Sequence, residues 1–109
     1  MNKTLSLMGI CRKAGRLLPG HDIVFDAVRS GKAKLIILTS DASQRHEREL
    51  EAAGFTGNTV RLTISAEEAS PFIGKRSCIF AVTDEGFAQS IEKKIREEGI
   101  QYECNGSEV

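Results

Sequence analysis

Leu5, Met8 and Cys11 recur at helical spacing with Leu7, Ile10 and Ala14 beside them, which predicts a first helix over residues 4–14. Arg12 and Lys13 suit the negative end of that helix, and Gly15 suits the turn that closes it. Leu17 and Leu18 leave room only for a short strand, because Pro19 has no ladder donor and Gly20 ends the run. A second helix is predicted from about His21 to Ser30, with Ile23, Val24, Ala27 and Val28 inward and Gly31 as its stop. Lys34 to Thr39 is a near-continuous aliphatic run, the pattern of a strand buried on both faces.

Farther along, Asp41 or Ser43 can cap a third helix that runs to about Ala53 and closes at Gly54, and Thr59 to Thr63 alternates as a strand. Ser65 and Glu68 make a capping box for a brief fourth helix, which Pro71 is expected to interrupt or restart. Cys78 to Thr83 reads as a strand, and Glu85 to Glu98 as a fifth helix with Phe87, Ala88, Ile91 and Ile95 inward. The alternation of helices and strands predicts an α/β fold, a three-layer α/β/α sandwich with about four strands. Residues 1–99 form one domain on this reading, and 100–109 a polar tail to which no element is assigned.

At 109 residues the chain is long enough for a single core and too short for two. No apolar run approaches the roughly 20 residues of a membrane span, and no cleavage site follows the first apolar stretch, so a cytoplasmic protein without membrane contact is expected. Cys11, Cys78 and Cys104 are widely spaced with no C-x-x-C, which suggests neither a disulfide framework nor a zinc site; no metal or cofactor is expected. Cys11 and Cys78 fall in apolar segments and read as buried and inert.

Charge changes the picture more than composition does. Seven cations, Lys3, Arg12, Lys13, Arg16, Arg29, Lys32 and Lys34, face only Asp22 and Asp26 in residues 1–40, a formal +5, so the neutral total leaves −5 on the remainder. About ten helical residues at 1.5 Å each separate Lys32 and Lys34 from Gly20, which puts them at opposite ends of the molecule. Arg16 is paired with the Gly20 end on this reading, where a glycine-gated helix start beside cations suits phosphate. Lys75 and Arg76 make a second basic loop, Gly74-Lys75-Arg76-Ser77, whose position spacing alone does not decide.

Catalytic chemistry finds little support. His46 lies among Gln44, Arg45, Glu47, Arg48 and Glu49 and reads as a solvated surface residue. His21 stands at a helix start with Asp22 able to orient it, yet no nucleophile is beside it in sequence. The adjacent pairs Glu67-Glu68, Asp84-Glu85 and Glu97-Glu98 point in different directions on a helix and make no joint acid/base site. A protein without catalytic residues is expected.

Five pieces carry a family resemblance: Arg12 through Gly20, Ala27 through Leu38, Asp41-Ala42-Ser43, Ile73-Gly74-Lys75 and Thr83 through Ala88. Together, over about residues 2–98, the chain resembles the kink-turn-binding ribosomal protein superfamily named for L-seven-Ae and L-thirty-e, in its bacterial YlxQ-like branch. The resemblance implies a four-stranded mixed sheet and an RNA-binding surface at the start of the second helix plus the loop before the last strand. That surface would hold Arg16, Gly20, His21, Asp22, Asp26, Gly74, Lys75 and Arg76.

Kink-turn-binding members carry a glycine, then Asn-Glu, then a lysine on the next turn, and the matching positions here are Gly20, Asp22, Ile23 and Asp26. Only the glycine is kept. A good base contact is worth ~1–3 kcal/mol, so the resemblance implies kink-turn affinity lowered by about a hundredfold or more, with backbone-led binding of ribosomal or other structured RNA remaining. The alternative is a protein-interaction module that kept the fold, lost RNA and uses its acidic later half against a basic protein partner.

Overall fold

A computed structural model describes residues 3–98 and 101–103. In chain order it runs α1 (Lys3–Lys13), β1 (Leu17–Pro19), α2 (His21–Arg29), β2 (Leu35–Leu38), α3 (Gln44–Ala52), β3 (Asn58–Leu62), α4 (Ala66–Ile73), β4 (Ile79–Val82), α5 (Glu85–Glu98) and β5 (Gln101–Glu103). The sheet order is β1-β4-β2-β3-β5. β2 and β3 pair in parallel, whereas β4 runs antiparallel to both β1 and β2, so the sheet is mixed as expected.

Alternation along the central strands explains the three layers. Leu35 and Ile37 of β2 join Phe80 and Val82 of β4 in one core with Leu5, Met8 and Cys11 of α1, Ala69 and Ile73 of α4, and Ile91 and Ile95 of α5. Ile36 and Leu38 join Ile79 and Ala81 in a second core with Val24, Phe25 and Ala27 of α2 and Leu50 of α3. All four residues of β2 are fully buried because a helix layer covers each face. Burying each such aliphatic side chain contributes about 1.5–3 kcal/mol, so both cores are needed to stabilise so small a chain.

Local signals end the helices as the sequence implies. Gly15 and Gly31 take positive φ, and Arg16 N–H donates to the Cys11 carbonyl across the closing turn of α1. Pro19 sits on an edge strand, where its missing donor costs no ladder bond on the open side. The Ser65 and Glu68 capping box is present at the start of α4.

Four expectations are corrected. Pro71 lies inside a continuous α4; it removes one donor near the end of a short helix that closes three residues later at Gly74, so no break follows. The tail contributes β5, whose Tyr102 pairs with Arg61 in antiparallel register on the open edge of β3; the remaining tail, Cys104 included, lies outside the described residues. Ile23 is 49% exposed, and Phe25 takes the place expected for it in the second core, because Val24, Ala27 and Phe25 define the inward arc of α2. Cys78 is half-buried, packed against the second core without being enclosed by it.

Candidate nucleic-acid interface

β1, β2 and β3 all finish at one end of the sheet, and the starts of α2, α3 and α4 follow from them. Open parallel sheets place their ligand sites at such an end. Gly20 opens α2 with φ 107° and ψ 145°, a conformation open to glycine, and its flank is open space. Its carbonyl accepts the first helical bond from Val24 N–H at 2.9 Å, and no side chain caps the helix start.

The Gly20 N–H donates to Ser77 Oγ at 3.1 Å and to the Ile79 carbonyl at 3.2 Å. Ser77 Oγ–H donates in turn to the Ile79 carbonyl at 2.8 Å and accepts from Ile79 N–H at 3.2 Å. One serine thereby fastens the Gly74–Ser77 loop to the start of α2. Gly74 is left-handed at φ 87°, which turns the chain out of α4 and leaves Lys75 and Arg76 exposed.

The floor of this end is set by two polar side chains. Asp41 accepts from Thr39 Oγ1–H at 2.6 Å and from Ala66 N–H at 3.1 Å, so it steadies the start of α4, while Ser43 caps α3. Its carboxyl is held below the ordinary carboxylate range, chiefly by the Thr39 hydroxyl and in smaller part by the Ala66 N–H and the Arg76 charge. Arg61, at the end of β3, donates Nη1 to the carbonyls of Thr39 at 3.0 Å and Ala42 at 2.9 Å, and Nη2 to Glu47 at 3.0 Å. The loop between β2 and α3 is thus tied to β3 by one guanidinium.

His21 sits at the rim. Its Nε2 lies 3.0 Å from Glu49 Oε1 and its Nδ1 3.3 Å from Asp22 Oδ1, and the ring stacks on Phe25 at 4.5 Å. The bond to Glu49 above all, then that to Asp22, pushes the His21 pKa up. His46 is not the solvated residue its charged neighbours suggest. It is half-buried, 5.7 Å from the His21 ring, and burial pulls its pKa down. Its place four residues before the buried Leu50 turns it toward α2.

Of the residues the sequence points to, Gly20, His21, Asp22, Gly74, Lys75 and Arg76 share this end. Asp26 follows one turn along α2, exposed and bonded to Arg29 at 2.8 Å. Arg16 does not belong with them: its carbonyl accepts from Thr83 N–H at 2.9 Å beside the Leu17 and Val82 pair, at the far end of β1 from Gly20. Four residues of near-extended chain span about 13 Å, which sequence proximity concealed. Lys34 lies at that same far end, its N–H on the Val82 carbonyl at 2.7 Å.

The partners of Ser77, Arg61 and Glu49 were not legible in the sequence, since each lies 14 or more residues away. The Ser77 hydroxyl is engaged by backbone groups, and burial pushes the Cys11 thiol up to about 11, so neither is a free nucleophile. Among the described residues no helix is long and apolar enough to cross a membrane. The end offers open backbone, exposed cations and a histidine pair.

No family model matches the chain. The RNA-binding protein YlxQ of Bacillus subtilis (strain 168) is 30% identical over 87 residues, 78% of this chain and 87% of the relative. The chain belongs to the YlxQ family. The RNA-binding protein YlxQ of Enterococcus faecium is 27% identical over 94 residues, 85% of this chain and 91% of its own. Among solved structures, a Bacillus halodurans protein of unknown function superposes with a TM-score of 0.78 at 28% identity, covering 88% of this chain and 99% of that one. The Giardia lamblia 15.5kD RNA binding protein superposes with a TM-score of 0.64 at 16% identity, over 85% of this chain and 82% of its own. That last likeness is one of fold, and it agrees with the α/β/α sandwich expected for the YlxQ branch.

Proposed function

We propose that this protein binds structured RNA, without catalysis, through the end of the sheet where α2 begins. The observation that carries the reading is the Ser77 bond to Gly20 N–H, which holds the basic Gly74–Ser77 loop against an uncapped helix start. The uncapped positive end of a helix favours phosphate, and Lys75 and Arg76 add exposed charge beside it. The names of the two YlxQ relatives support RNA as the ligand.

Binding on this surface is backbone-led. Ile23 is exposed but cannot hydrogen-bond a base edge, and Asp26 presents an anion already engaged by Arg29. Kink-turn recognition is therefore weak, and ribosomal or other folded RNA is held by its phosphates with steep salt dependence.

A gel-shift panel with a kink-turn and with ribosomal RNA fragments tests the reading. Lys75→Glu with Arg76→Glu should weaken binding at low salt at least tenfold, whereas Lys32→Glu with Lys34→Glu, and Arg16→Glu, at the opposite end, should change it little. Equal loss from both ends, or no binding at low salt together with recovery of a nuclease-resistant protein partner, would sink it in favour of a protein-interaction module.

A further inference from the structure

We propose that His21, His46 and Glu49 together bind one divalent transition-metal ion, with zinc the best fit. Each residue offers one ligand atom, and these atoms all lie within 4.8 Å of one another. His46 and Glu49 stand three apart on α3 and so leave the same face of the helix, while His21 meets them from the first turn of α2. The inference does not depend on RNA binding, since it rests on side chains that face each other across two helices.

The distances suit a small tetrahedral ion. His21 Nε2 is 3.0 Å from Glu49 Oε1, against a ligand-to-ligand separation of roughly 3.3 Å when zinc bonds are about 2.0–2.1 Å. Closing the widest pair from 4.8 Å needs a movement of about 1.5 Å, which side-chain rotation on an exposed rim supplies.

A separate observation singles out His46. Its Nδ1 is buried with no hydrogen-bond partner among the described residues, a state native folds seldom leave standing. An ion bound here would displace the proton that His21 shares with Glu49.

Ligand chemistry narrows the ion. Two imidazoles and one carboxylate are a borderline donor set that favours zinc, nickel or cobalt over calcium or magnesium, which need more oxygens. Three protein ligands leave a fourth position, and the exposed side of His21 opens it to solvent.

The test uses the full-length protein without an affinity tag, stripped with a chelator and then titrated with Co²⁺ by visible absorption and with Zn²⁺ by calorimetry. One ion per chain with a tetrahedral-type cobalt band is expected. His21→Ala, His46→Ala and Glu49→Gln should each lower affinity at least tenfold, with unchanged circular dichroism. Zinc should raise the melting temperature of the parent protein and fail to raise that of His46→Ala. Cys78→Ser and Cys104→Ser should bind as the parent does. No saturable binding, binding that survives all three ligand substitutions, or binding lost only with a cysteine would overturn the proposal.

Discussion

Gly9 of α1 meets the backbone of α4 so closely that a β-carbon at this position would run into the carbonyl oxygen of Phe72. The helices cross with no side chain between them at this point. On intrinsic propensity Gly9→Ala should gain up to ~1 kcal/mol, because alanine is the better helix former. Forcing a methyl against a backbone oxygen costs more, typically ~1–3 kcal/mol, since the oxygen cannot swing aside as a side chain would. Urea denaturation should therefore show Gly9→Ala less stable than the parent, and a gain in stability would show that α1 and α4 separate easily.

Arg61 makes a second relationship of this kind, and one that lysine cannot reproduce. Its fork reaches two loop carbonyls and the Glu47 carboxylate at once, with only 15% of its side chain exposed. Arg61→Met leaves partly buried acceptors unsatisfied, so a loss of about 2 kcal/mol or more is expected. Arg61→Lys should recover less than half of it, because one ammonium cannot span the three partners. Full recovery with lysine in a thermal or urea melt would mean that charge alone, not the fork, holds the loop.

These two sites show what was legible in the sequence and what was not. The stops at Gly15 and Gly31 and the Ser65 and Glu68 box were readable because each is decided within one turn of chain. The two-faced burial of β2 was readable because an aliphatic run admits little else. Arg16 stands apart from Gly20 because the extended strand β1, Leu17–Pro19, separates them. His46 was misjudged because its immediate neighbours are charged, whereas its burial is decided by α2 lying across from it. The candidate end as a whole was only half legible: Gly20 and the Lys75 and Arg76 loop stood out, but the Ser77 bond that unites them crosses 57 residues.

The two histidines should titrate on opposite sides of 6.5 when metal is chelated. His21 binds its proton more tightly folded than unfolded, so its contribution to stability is complete below 6.5 and is lost as pH rises through the raised folded value. His46 binds its proton less tightly folded, so its contribution is complete above 6.5 and is lost as pH falls below it. Denaturation across this range should show the stability advantage of the parent over His21→Gln shrinking on alkalinisation, and its advantage over His46→Gln shrinking on acidification. Proton NMR of the ring hydrogens should place the His21 titration above that of His46, and Glu49→Gln should bring His21 back toward 6.5. Coincident titrations would mean that the Glu49 contact does not form in solution.

On α2, Asp22, Ile23 and Asp26 occupy the positions that the family resemblance matches to base-reading Asn, Glu and Lys. Ile23 and Asp26 are both exposed, neither is needed by the core, and Gly20 keeps a positive-φ conformation with open space beside it. Asp22→Asn, Ile23→Glu and Asp26→Lys together should therefore fold normally. They should also raise kink-turn affinity about a hundredfold or more, since each restored base contact is worth ~1–3 kcal/mol. Removing the Asp26 pair with Arg29 should cost well under 1 kcal/mol, as expected of an exposed ion pair. The gain should appear for the kink-turn and not for a duplex of equal length, because phosphate contacts are common to both and base edges are not. An equal gain for both RNAs would show that the added lysine acts through charge alone, and no gain would place the binding surface away from α2.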